Sequence, residues 1–134
     1  YDLIVMDAFS SDAIPVHLVT KEAVDLYLQK LSPHGLLAFN ITNRYIDLKP
    51  VINALAQQNN LLTLQWWEKQ VSEGERAQGK TPSHWVVLAR DRTDFGTLLD
   101  RTHWQPIDEN QLVPIWTDNF SNIFSVLRAF GRQE

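Results

Sequence analysis

Along this chain the hydrophobic positions alternate between short uninterrupted runs and stretches of helical period. Residues 3–6 read Leu-Ile-Val-Met, apolar on both faces and closed by Asp7, a pattern that fits a central strand of a parallel sheet. Thr20 is placed to cap a helix, with Glu22 favourable in its first turn and Val24, Tyr27, Leu28 and Leu31 on one face. Ser32-Pro33-His34-Gly35 stops that helix, and 36–41 is a second apolar run. Asp47 can cap another helix, with Pro50 tolerated in the first turn and Leu48, Val51, Ile52 and Leu55 buried.

Strand, helix, strand, helix predicts parallel strands joined by right-handed crossovers. The rhythm then changes. Residues 61–67 and 84–89 are strand-like, and the polar stretch 69–82 between them, with Gly74 and Gly79, reads as a mobile hairpin tip. A short helix at 95–99 and an irregular segment with Pro106 and Pro114 follow. Phe120, Ile123, Phe124 and Leu127 predict a last helix, capped by Asp118 or Asn119. No Gly-rich strand-to-helix turn of the dinucleotide-binding type occurs, and no acidic residue about 20 positions beyond one. The expected fold is therefore α/β, the second half of a doubly wound, Rossmann-like sheet ending in an antiparallel hairpin and a C-terminal helix. Residues 1–134 form one partial domain on this reading, and the cofactor-binding half is expected upstream of it.

Composition removes several classes of function. A net charge of −4 with no basic run argues against nucleic acid as a partner. There is no Cys, hence no disulfide framework, thiolate metal site or cysteine nucleophile. His17, His34, His84 and His103 lack ligand spacing, so no metal is expected, and no apolar run reaches the roughly 18 residues of a membrane span. Ser10 and Ser11 have no His placed to activate them. Candidate chemistry narrows to polar groups at the ends of the first two strands: Asp7 and Asp12 after the first, Asn40, Arg44 and Tyr45 after the second. The carboxyl ends of parallel strands are where open sheets bind ligands. Each also has a plain structural role available, as a strand end, a turn or a loop amide.

Three segments carry a family resemblance: Asp7-Ala-Phe-Ser-Ser-Asp12-Ala-Ile-Pro-Val-His-Leu-Val-Thr-Lys-Glu-Ala23, Asn40-Ile-Thr-Asn-Arg-Tyr-Ile-Asp-Leu48 and Trp116-Thr-Asp-Asn-Phe-Ser-Asn122. Together they resemble the spermidine synthase-like proteins, in particular the bacterial branch often fused to membrane-embedded segments, which has the S-adenosylmethionine methyltransferase fold. The resemblance implies that Asp7 is the base toward an attacking amine. It also implies that Asp12, Asn40 and Tyr45 contribute to the substrate site. Asp12 follows Asp7 by five positions, where the family's Asp-Ser-Ser-Asp-Pro motif has three, and Asn40 stands where family synthases commonly carry Gln.

The implied reaction moves an aminopropyl group from decarboxylated S-adenosylmethionine, the co-substrate, to a small-molecule amine. The alternatives are an S-adenosylmethionine-dependent methyltransferase and a non-catalytic module of a membrane-anchored protein. No cofactor is expected within these residues, and the chain alone is expected to be inactive. It is further expected to be a cytoplasmic, soluble domain without membrane contact of its own, and to form a homodimer through the strand edge left bare by the missing half.

Overall fold

The computed structural model describes residues 1–9, 15–108 and 113–127. It is a mixed α/β structure. Strand β1 (Leu3–Met6) leads through a 3-10 turn and helix α1 (Lys21–Lys30) to β2 (Leu36–Asn40), and helix α2 (Lys49–Gln58) leads on to β3 (Leu62–Glu68). A short helix α3 (Glu73–Ala77) precedes β4 (Ser83–Ala89), a 3-10 stretch (Arg92–Asp100) follows, and β5 (Gln105–Pro106) ends the sheet. The spatial order is β1-β2-β4-β3-β5. β1 and β2 are parallel, whereas β4 runs antiparallel to both β2 and β3, so the reversed strand fills the middle. The sequence of β4 suits that place, since Val86, Val87, Leu88 and Ala89 are all buried and serve both faces.

Local chemistry sets the helix ends. The Thr20 hydroxyl accepts from Ala23 N at 3.2 Å and so caps α1. At its other end Arg90 donates to the carbonyls of Leu28 and Ser32 at 2.9 and 2.7 Å, tying the end of β4 to the last turn of α1. Gly35 follows, where a Cβ would lie 2.7 Å from Leu31 Cγ and 3.0 Å from the Tyr1 carbonyl oxygen. Only glycine lets the chain turn that closely into β2. The cap position of α2 is Leu48 rather than the expected Asp47, whose Oδ1 accepts from Lys49 N at 3.0 Å just before the helix; Pro50 stands in the first turn as expected.

Strand alternation sorts the sheet into two faces. Ile4, Met6, Leu37, Phe39, Val86 and Leu88 pack with Val24 of α1, with Leu31 just beyond its end, and with Val51, Ile52 and Leu55 of α2, forming the main core. Ala38, Leu64, Val87 and Ala89 point the other way, toward Phe95, Leu98, Leu99 and Trp104. Among the described residues that second layer is thin and does not reach β1, where Leu3 and Val5 are 55% and 49% exposed.

β1, apolar on both faces, lies at the edge of the sheet and pairs with β2 among the described residues, the bare edge that the half-sheet reading expects. Two expectations need correction. Residues 69–82 link the antiparallel β3 and β4 as expected, but they are not a bare tip: Val71 is buried, and Ser72 and Glu75 form a reciprocal capping box around α3. No α-helix follows Asp118 among the described residues. There the chain makes a turn, bridging Thr117 to Phe120, and then a 3-10 turn (Ile123–Val126), with Phe124 and Leu127 exposed. Asp118 serves a different helix, accepting from the Thr20 hydroxyl at 2.7 Å beside the cap of α1. Residues 128–134, the remainder of the expected helix, lie outside the described residues.

Candidate functional site

The parallel pairing of β1 and β2, with Met6 opposite Phe39, brings Asp7 and Asn40 together at the carboxyl ends of adjacent strands. Alternation puts both on the thin face, in line with Leu3 and Val5 on one strand and Leu36 and Ala38 on the other. Asn40 Nδ2 donates to Asp7 Oδ1 at 2.8 Å. The other carboxylate oxygen of Asp7, on an exposed residue, has no hydrogen-bond partner among the described residues. The pair thus leaves one acceptor oxygen available to a donor from solution.

Behind Asn40 the polar chain continues inward. Thr42 donates to Asn40 Oδ1 twice, from its backbone N at 3.1 Å and from its hydroxyl at 2.5 Å. The same hydroxyl accepts from His84 N at 2.8 Å, and Ile41 N donates to the His84 carbonyl at 2.8 Å. These bonds carry β2 beyond its last residue along β4. The imidazole of His84 is buried, with Nε2 3.0 Å from Gln65 Oε1 and the ring stacked on Trp67 at 4.9 Å.

Asn43 holds the loop that follows β2. Its Nδ2 donates to the Phe9 carbonyl at 3.0 Å, while its Oδ1 accepts from the backbone N of Tyr45 and of Ile46 at 2.9 and 3.0 Å. The segments leaving β1 and β2 are therefore fastened to each other. Phe9 itself is buried, which anchors the chain two residues past Asp7.

Of the residues expected at the site, Asp7 and Asn40 are in direct contact. Asp12, Ser10 and Ser11 lie outside the described residues. Tyr45 is half exposed, and its side chain forms no hydrogen bond with Asp7 or Asn40. Thr42 and Asn43 lie inside the Asn-Ile-Thr-Asn stretch but were not anticipated as shaping residues. Short hydroxyl and amide side chains crowded at a strand end are the signal, because such groups bond nearby backbone rather than extend the strand.

Trp116 is fully buried in the main core, and its carbonyl accepts from Lys21 N at 2.7 Å, so it packs behind α1. Among the described residues no group of three or more His, Cys, Asp or Glu side chains converges as a metal site would require. No helix among them is long and apolar enough to cross a membrane. No protein-family model matches the chain, and no curated protein matches it either.

Proposed function

We propose that the chain is the C-terminal half of a spermidine synthase-like domain, with Asp7 as the carboxylate facing the reacting amine. The single observation that carries this reading is the Asp7–Asn40 pair. One oxygen is anchored by an amide at 2.8 Å, and the other has no partner among the described residues, at the carboxyl ends of two parallel strands. The order of the sheet supports it, because two parallel strands followed by an antiparallel pair are what the second half of such a sheet requires.

The chemistry follows from the charge states. An alkyl amine, with a reference pKa of about 10, arrives protonated and without a nucleophilic lone pair. The open oxygen of Asp7 binds the ammonium group and takes its proton. The freed nitrogen attacks the carbon beside the sulfonium of decarboxylated S-adenosylmethionine, a carbon–nitrogen bond forms, and the carbon–sulfur electrons return to sulfur as a neutral thioether leaves. The proton on Asp7 then passes to solvent. Asn40 supplies a donor toward Asp7 and holds the carboxylate in place.

Replacing Asp7 by Asn removes the base without changing its shape. In the intact protein we expect aminopropyl transfer to fall by about 10²–10⁴-fold while the melting curve stays in place. Turnover equal to wild type would remove Asp7 from the mechanism. The chain by itself is expected to bind no adenosyl-sulfonium ligand in a calorimeter; micromolar affinity would overturn the division into a cofactor half and a carboxylate half.

A further inference from the structure

We infer that Thr42 is the positioning residue of this site: it fixes which end of the Asn40 side-chain amide faces Asp7. The argument turns on hydrogen-bond polarity. A backbone N–H can only donate, so the Asn40 atom 3.1 Å from Thr42 N must be the oxygen. The Thr42 hydroxyl, 2.5 Å from that same oxygen, is the donor there, because an amide oxygen carries no hydrogen, and its own oxygen accepts in turn from His84 N at 2.8 Å. With its oxygen engaged twice, Asn40 has only its NH₂ to offer Asp7. That end faces Asp7 Oδ1 at 2.8 Å, which anchors that oxygen as an acceptor and leaves Oδ2 as the atom that takes a ligand or a proton.

Thr42 touches no reacting atom. It acts through Asn40, and β4 holds it in turn through the His84 amide, so the orientation is referred to the middle of the sheet. A residue with a flippable amide is thereby given one orientation by a neighbour whose polarity is not in question.

The part of this inference that concerns ligands rests on the amine-binding reading, and the experiment separates the two. In the intact protein, ¹⁵N relaxation of the Asn40 side-chain amide reports its order, and titration with 1,4-diaminobutane reports the site. Thr42→Val should loosen the Asn40 amide and weaken diamine binding by about ten-fold, the scale of one charge-assisted hydrogen bond. Thr42→Ser should restore both. Asp7→Ala should leave the Asn40 amide ordered, since both bonds to its oxygen survive. The inference is overturned if Asp7→Ala loosens Asn40 while Thr42→Val does not. If Thr42→Val fails to fold, the Ser and Asp7→Ala variants decide, with loss of order in either counting against Thr42. Ordered amides in the expected pattern, with no diamine binding by the wild type, would uphold Thr42 and sink the amine reading.

Discussion

The two faces of the sheet are covered unequally. One carries α1, α2 and the main core, in which Leu37, Phe39, Ile52, Leu55 and Leu88 are all but inaccessible to water. The other carries a single 3-10 stretch and Trp104, lies over β3 and β4, and leaves the row Leu3, Val5, Asp7 open. Parallel strands in folded proteins are ordinarily covered on both faces. Within one sheet, then, stability concentrates on the helical face, and the open chemistry stands on the thin one. Among the described residues no layer crosses β1, and one oxygen of the carboxylate has no partner there.

This contrast can be broken by mutation. Phe39→Ala empties the helical core and should cost about 5 kcal/mol, whereas Phe95→Ala on the thin face should cost nearer 3, because a layer with few neighbours relaxes into the gap. Denaturant unfolding of the two variants checks the order, and equal losses would mean that the faces bear load alike. The bare row supplies the next test. Val5→Lys should change the chain's own stability by no more than about 0.5 kcal/mol, since Val5 is half exposed already. If the apolar edge joins two copies, the same change should abolish the dimer in light scattering. A monomeric wild type across the micromolar range would count against edge pairing.

The smallest effect belongs to the exposed cluster beyond β3, where Lys80 bonds Glu68 at 2.7 Å and Glu75 at 2.8 Å. Bonds from Lys80 first, then from Ser72, lower the Glu75 carboxyl from 4.5 to about 2. A depressed carboxyl contributes fully above its ordinary value, and the contribution is lost as pH falls from 4.5 toward 2. Wild type and Glu75→Gln should therefore differ slightly at pH 7 and converge near pH 2 in thermal melts, with salt shrinking the difference.

What the sequence displayed was mostly local. The Thr20 cap, the stop at Gly35 and the runs of β2 and β4 depend on neighbours in the chain, and each is legible there. The adjacency of Asp7 and Asn40 was legible too, because consecutive strands joined by one helix pair in parallel and bring their ends together. Edge status was legible only through the half that the Gly-rich turn's absence implied to be missing; Leu-Ile-Val-Met by itself looks the same in the middle of a sheet and on its margin. The α3 helix is too short to show a period, although Ser72 and Glu75 stand at the three-residue spacing of a capping box and would have revealed it. The expected last helix failed for the opposite reason. Its period was present, but Asp118 is spent on Thr20, and Leu127 pairs with Ile46 across an isolated bridge. The orientation of Asn40 depends on a bond from β2 to a strand some forty residues later, which no local pattern announces.

The central place of β4 also governs the order in which this molecule can assemble. β2 and β3 never touch as strands; both wait for residues 83–89 to arrive between them. During synthesis the first two strands and both long helices emerge while the middle of the sheet is still missing. Closure then requires contacts such as Ala38 to Val87, far apart in sequence, and contacts of that span slow folding. The interval before β4 arrives is the period in which β2 offers a bare apolar margin to any neighbouring chain, and aggregation should be greatest in chains halted just short of it.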